Sequence, residues 1–599
     1  LIAFLLSTAL IMAYQVFYYS PRMRRAEELR RVQQERLLEQ QATTPDVSPA
    51  DSAEPPTAAS PEPAALEAPV ETGDSAIVAA AGTITVKTPL FEIDLTTAGA
   101  EVVGVRLLGY ETEGSPVQLL SQDNPRAGGA LRVLLSGDER ALSLGGVLFE
   151  AHTDESVEPL QGGAVVTVDQ DDPEATLTFR AGDGASMIER RFTFTADSYV
   201  VRSGISFGIA GYPFVHRVGW SLGPGLRATE KNVQDDYAAM RAALRLGDEY
   251  YKKKRGDFDE NFSGTVQWAS LQLKYFATIM LPEPPAGGDA RLTGVAKDNF
   301  MTVAINLPAV ERRGRIEQNL DAYFGPLDYE SLKAMGRGLE KTVDVGFDTF
   351  KILKPVSVAV LWSVLTLHKV IPNYGLVIIV ISILTKVLFY RLTHKSFKSM
   401  RDMQALQPRL QALKEKHKDD RQKLSQETMR MYKEAGVNPL GGCLPMLLQM
   451  PVFIALFNVL RNTIELRHAP FVGWMNDLSQ QDVLFSLPFS LPMIGSAVSV
   501  LPVLMGASML VQSKIGGSFT GSSPSAAQPK ILTYMLPIVF TLLFYKMPSG
   551  LVLYWLVNTV LSVAQQYYIN KGAAKVAPGD MGSDASSPKT AGKVKAKKG

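Results

Sequence analysis

Residues 374–390, YGLVIIVISILTKVLFY, limit what this chain can become more than any other stretch. The run is apolar enough, and just long enough, to cross a bilayer, yet it contains Lys386. An ammonium inside a membrane helix costs roughly 2.5–3.5 kcal/mol on insertion scales, so it turns to protein or water rather than to lipid. Ser382 lies one turn earlier, and i, i+4 spacing sets both side chains on one side of the helix. Two readings stay open here: Lys386 faces a polar site between helices, or it snorkels to the end of the span near Arg391.

Five further apolar segments occur at Leu1–Tyr19, Cys443–Leu460, Leu484–Val511, Ile531–Tyr545 and Leu551–Ile569. The first ends in YYSPRMRR instead of a small-residue cleavage site, so it reads as a retained anchor. The chain opens on leucine, and residues ahead of it are expected. Pro488, Pro492 and Pro502 interrupt the Leu484–Val511 segment, which is expected to kink or to begin with a re-entrant stretch. Between Arg391 and Asn438 there are twelve Lys/Arg against six Asp/Glu, with Met403, Leu406, Leu410 and Leu413 at 3-4-3 spacing and Leu424 and Met431 seven apart. That pattern predicts an antiparallel helical hairpin. Counting five spans after residue 373 puts the hairpin, the Lys514–Lys530 loop and the basic tail on one side, cytoplasmic by the positive-inside rule. Arg22, Arg24 and Arg25 point the other way, but the hairpin carries more charge and flanks two spans.

The rest of the chain is soluble in pattern. Residues 20–83 pass from a charged helical stretch into a Pro/Ala-rich tract unable to build a core, a tether. From Ile84 the period becomes two: Phe91, Ile93 and Leu95 alternate with Glu92, Asp94 and Thr96, and turns such as DQDDPE separate the runs. A large, mostly antiparallel β-sandwich is expected to about Leu307, closed by a helical pattern that ends near Glu340. Its polar candidates are Asp235, Asp236, His152 and His216, which suit sugar chemistry or plain solvation, and the KKKR run at 252–255 reads as an exposed loop. Residues 341–372 are expected to hold an interfacial amphipathic helix with Trp362 at headgroup level. The expected fold is thus a polytopic helical membrane protein of six spans, five of them a core over 373–570, plus an external β-sandwich over 84–340 and a basic tail over 571–599.

Several chemistries are disfavoured. Cys443 is the single cysteine, the six histidines are scattered without an HExxH, and no GxxxxGK[ST] loop occurs, so neither metal, cofactor nor nucleotide is expected. No internal repeat of the kind that builds secondary transporters is visible. The last span instead carries Tyr554, Asn558, Ser562 and Gln566 every four residues, with Gln565 beside them. Gln449 and Asn458 lie in the third span, and Thr541 and Tyr545 in the fifth. Such groups serve as glue between helices or line a wet cavity facing the lysine.

The residues then become recognisable. GVNPLGGCLPMLLQMPVF (436–453), IELRHAPFVGWMNDLS (464–479) and MPSGLVLYWLVNTVLSVAQQ (547–566) closely resemble the YidC-type membrane protein insertases, relatives of the organellar Oxa and Alb proteins. ITVKTPLFEIDLTTAGAEV and WASLQLKYFATIMLP resemble the periplasmic domain of the Gram-negative members. The resemblance implies five core helices around a hydrophilic groove open to the cytoplasm and to lipid, with no catalysis and no cofactor. It sets the family's intramembrane basic residue, usually arginine, on Lys386 and its neighbouring hydroxyl on Ser382. The expected groove residues are Lys386, Ser382, Gln449, Asn458, Tyr554, Asn558, Ser562 and Gln565. Implied partners are nascent membrane proteins, the ribosome at the hairpin and tail, membrane lipids, the Sec translocon and the signal recognition particle receptor. The contrasting reading is a membrane-anchored periplasmic protein that binds or modifies carbohydrate.

Overall fold

The computed structural model describes residues 81–574 apart from 121–128, 155, 157, 224, 345, 347–353, 419, 438–443, 492–494 and 517–527. The expected anchor at 1–19, nearly all of the tether and the tail beyond 574 lie outside the described residues. The chain divides into two units: a β-unit that runs to Asp344 and includes Asn462–Glu465, and a helical unit.

The period-two runs of the β-unit form two sheets. Five strands line up in the order Ser115–Gln118, Glu101–Thr112, Phe91–Thr96, Thr83–Lys87, Val165–Thr167; all pairs are antiparallel except the last. A second, fifteen-stranded sheet is antiparallel between its paired strands. Phe91, Ile93 and Leu95 from the first sheet and Phe179, Phe192 and Trp220 from the second belong to one buried cluster, so the sheets share a core. Arg190 sits inside it with no exposed surface, donating to the carbonyls of Gly99 (2.8 Å), Ala100 (2.7 Å) and Leu131 (2.9 Å). Those three bonds are what make a buried guanidinium tolerable.

Three expectations change here. The strands do not stop at Leu307: strand Arg315–Pro326 pairs with Val200–Gly208 on one side and Phe276–Glu283 on the other. Nor does it end at 340, because Thr342 is buried and Arg241 holds Asp344 at 2.6 Å, so 341–344 belong to the β-unit. The KKKR run is not a loop. Lys252–Lys254 lie in strand Glu249–Lys254, paired among the described residues with Arg241–Leu246 alone, and lysines on such an edge discourage further strand pairing. Two short helices decorate the sheets, α1 (Val233–Ala239) and α2 (Tyr329–Ala334). Asp236 is buried in α1 and accepts from Thr229 N (2.6 Å), Thr229 Oγ1 (3.1 Å) and Lys274 N (3.3 Å), while Asp235 pairs with Lys274 at 3.5 Å. These carboxylates brace the chain.

The helical unit contains α3 (Lys354–His368), α4 (Tyr374–Leu388), α5 (Tyr390–Ala405), α6 (Gln407–Lys416), α7 (Arg421–Glu434), α8 (Leu444–Asn462), α9 (Leu501–Gly516), α10 (Gln528–Phe544) and α11 (Ser549–Ala574). Asn373 starts α4 by accepting from Leu376 N at 3.1 Å. No single helix among the described residues is long and apolar enough to cross a membrane by that test; α4 and α5 pass only together, bent by 65°. Helix α11 has the length, at 26 residues, but its polar ladder dilutes its hydropathy. It packs against α4, α5 and α9.

The Leu484–Val511 segment departs most from expectation. Its first half is a β-hairpin, Phe485–Leu491 against Gly495–Val498, with Phe485 opposite Val498. Pro488 denies the helix a donor there, and helix begins only at Leu501, where Pro502 sits harmlessly in the first turn. The polar hairpin begins at Tyr390 directly after α4, and its first arm breaks at Leu406 into α5 and α6 before α7 returns. Among its described residues the buried hydrophobic ones are Leu410, Leu424 and Tyr432, Tyr432 taking the place expected for Met431, and Thr393 and Ser396 are buried as well. Helix α3 lies within the 341–372 segment; it buries Ser357, Leu361 and Val364 and leaves Trp362 65% exposed.

Candidate functional site

Residues on one face of α11 meet α4, α5 and α8. A four-residue period brings Tyr554, Asn558, Ser562 and Gln566 to the same side of the helix, and all four are buried. Lys386 of α4 donates to Ser562 Oγ at 2.7 Å, and that hydroxyl donates back to Asn558 O at 2.7 Å. One turn away, Gln449 of α8 donates to Asn558 Oδ1 at 2.8 Å and reaches Tyr554 Oη at 3.5 Å. Asn558 Nδ2 closes on Tyr554 O at 2.9 Å. At the other end Gln565 donates to Thr393 Oγ1 of α5 at 3.2 Å. The result is a polar seam along α11 in which a cation sits among amides and hydroxyls.

Beside the seam lies a cavity of about 1010 Å³ walled by Lys386, Gln565 and the start of α5. The expected residues divide accordingly. Lys386 and Gln565 face this cavity; Lys386, Ser562, Asn558, Gln449 and Tyr554 are joined by hydrogen bonds. Two do not join. Ser382 is fully buried and spends its hydroxyl on Ile378 O (2.8 Å), while Asn458 donates to Ile454 O (2.8 Å) within its own helix. Back-bonding of this kind satisfies a polar group without orienting it to a ligand. The ammonium therefore has Ser562 as its hydroxyl partner, not Ser382, although Ser382 has the helical spacing.

Other participants escaped the sequence reading. Thr393, part of a charged hairpin in sequence, meets Gln565 across 172 positions. Gln566 Oε1 is buried with no hydrogen-bond partner among the described residues. Asp482, in a loop, accepts from Trp474 Nε1 (2.5 Å), Val500 N (2.8 Å) and Leu501 N (2.6 Å), fixing the start of α9. Next to Tyr554 on α11, Trp555 meets Phe453, Phe540 and Phe544 at ring separations between 5.0 and 5.6 Å, an apolar cluster that flanks the polar seam.

Known proteins sharpen this picture. The family described as 60Kd inner membrane protein matches residues 366–576, and the YidC periplasmic domain family matches residues 83–357. A membrane protein insertase YidC of Chlorobium phaeovibrioides (strain DSM 265 / 1930) is 35% identical over 529 residues, 84% of this chain and 87% of that protein. Its counterpart in Chlorobium luteolum (strain DSM 273 / BCRC 81028 / 2530) is 39% identical over 398 residues, 64% of this chain and 66% of that protein. A crystal structure described as an active YidC insertase with its first transmembrane domain resolved covers 80% of this chain and 91% of its own, at 18% identity and a TM-score of 0.35. With both halves matched and more than four fifths of a relative aligned, the chain belongs to the YidC family of membrane protein insertases, a non-enzymatic family of inner-membrane proteins with a periplasmic domain.

Proposed function

We propose that this chain lowers the barrier to inserting nascent membrane proteins by offering their polar flanks a hydrophilic groove along α11, with Lys386 in its wall. The reading has six spans, five around the groove, the β-unit external as a sandwich and the C-terminus cytoplasmic. It is supported chiefly by the Lys386–Ser562 hydrogen bond, which ties an ammonium from the most apolar helix to a buried polar ladder beside an open cavity. No fuel is needed. A nascent segment of about fifteen apolar residues, at −0.3 to −0.6 kcal/mol each, gains very roughly 5–9 kcal/mol on entering lipid. Carrying its charged flank across bare hydrocarbon costs a comparable amount. Amides and hydroxyls that solvate the flank part of the way reduce that cost, and Lys386 attracts acidic residues more strongly than it would in water. The basic hairpin α5–α7 receives the chain from the ribosome, with the Sec translocon and the signal recognition particle receptor as further partners.

Insertion of acidic-flanked substrates into vesicles containing Lys386→Ala tests this. Efficiency is expected to fall roughly tenfold, about the 1.4 kcal/mol of a lost partly buried charge contact. Lys386→Arg should retain most activity. Normal insertion by Lys386→Ala would remove the charge from the mechanism.

A further inference from the structure

The mouth of the cavity carries more positive charge than a passage for polypeptide requires. Arg391, His394, Lys398 and Arg401 recur at i, i+3, i+7 and i+10 along α5, one stripe of the helix, and all four line the cavity together with Lys386. The lining contains no Asp or Glu. Arg401 is already paired with Asp402 at 3.0 Å, and Lys386 is engaged by Ser562. Arg391 and Lys398 are exposed and have no ion pair among the described residues. The α4 part of the lining is apolar and exposed: Ile383 is 43% exposed, Val387 67% and Leu388 75%. Tyr390 and Tyr568, both exposed, line the same cavity.

We propose that this mouth binds an anionic phospholipid, its phosphate between Arg391 and Lys398 and an acyl chain along Val387 and Leu388. Both halves of the lining must be accounted for. A soluble anion or an acidic peptide would satisfy the cations and leave Val387 and Leu388 uncovered; a zwitterionic lipid would cover the apolar side chains and leave two cations uncompensated. An anionic lipid does both. The place is also right: α4 ends its apolar run at Leu388, and α5 leaves at 65° carrying the cationic stripe, the geometry of a helix emerging at headgroup depth. Basic pockets between helices at that depth suit phosphate headgroups, and tyrosines collect at the same level. This assignment goes beyond insertion and does not depend on it, because lipid occupancy is read without any substrate.

The full chain in nanodiscs of phosphatidylcholine with a minor share of phosphatidylglycerol, the latter bearing a diazirine on one acyl chain, supplies the test. Crosslinking should enrich phosphatidylglycerol on α4 and α5 peptides. Arg391→Gln/Lys398→Gln should reduce that yield roughly tenfold, given the contribution of each cation at a membrane surface. Arg391→Lys/Lys398→Arg should keep it. Lys395→Gln/Arg409→Gln, which removes the same charge outside the cavity lining, should also keep it. Equal yields from the parent and Arg391→Gln/Lys398→Gln would overturn the proposal, as would an equal loss in the Lys395/Arg409 variant. Displacement of the lipid by inorganic phosphate would show a free-anion site, and displacement by an acidic peptide would assign the mouth to polypeptide; either refutes it.

Discussion

Glu465 follows α8 in the short segment that folds with the β-unit, and its Oε1 is buried without a hydrogen-bond partner among the described residues. Burial pushes its pKa up from 4.5 to about 7, and the Asp328 and Glu330 carboxylates add to the shift. An acid raised in the folded state favours folding while protonated. That contribution is complete below the ordinary value of 4.5 and is lost as pH rises through about 7. Thermal unfolding of the detergent-solubilised chain should therefore show lower stability at pH 8 than at pH 5, by about 1–3 kcal/mol from this group. Glu465→Gln should remove that difference by raising stability at pH 8. An undiminished pH dependence in the variant would place its origin elsewhere.

At the scale of elements, close approach decides which helices pair. A Cβ built on Gly506 of α9 would lie 2.1 Å from Thr541 Oγ1 of α10, but 3.4 Å from Thr541 Cβ. Gly506→Ala should therefore cost about 1–3 kcal/mol through overpacking. Thr541→Ala should restore most of it, so a double-mutant cycle on unfolding midpoints should give a coupling of about 1 kcal/mol or more. Simple additivity would mean that the two helices do not touch there. Neither this contact nor the α11 seam is fully legible in the sequence. Periodicity exposes which side of one element is polar or apolar, so Phe91, Ile93 and Leu95 and the Tyr554–Gln566 ladder could be read directly. It does not encode which distant residue answers. Gln449 meeting Asn558, Thr393 meeting Gln565, and Lys386 choosing Ser562 over its helical neighbour Ser382 are all decided by packing. The Phe485–Val498 hairpin was missed for a related reason, since a proline-broken apolar run fits a kinked span and an edge hairpin equally well.

At the scale of the whole molecule, the β-unit has its own core, so where that core ends decides what can be removed. An excision from Ile84 to Leu307, the boundary suggested by the loss of period-two patterning, would strand Arg315–Pro326 without either paired neighbour and uncover Leu320, Ala322 and Phe324, all fully buried. Exposing three such side chains and a row of unpaired backbone groups creates an aggregation-prone edge. An excision to Asp344 removes that strand and α2 together. In membranes carrying each variant, the chain lacking 82–344 should accumulate normally and insert simple substrates within roughly a factor of two of the parent, a change below about 0.5 kcal/mol. The chain lacking 84–307 should accumulate poorly. Conversely, the fragment 82–344 made alone should unfold in one cooperative transition, whereas 82–307, missing a central strand of the large sheet, should not. If removing 82–344 abolished insertion while the protein still accumulated, the helical unit would not be sufficient for insertion, and the β-unit would have to take part in it directly.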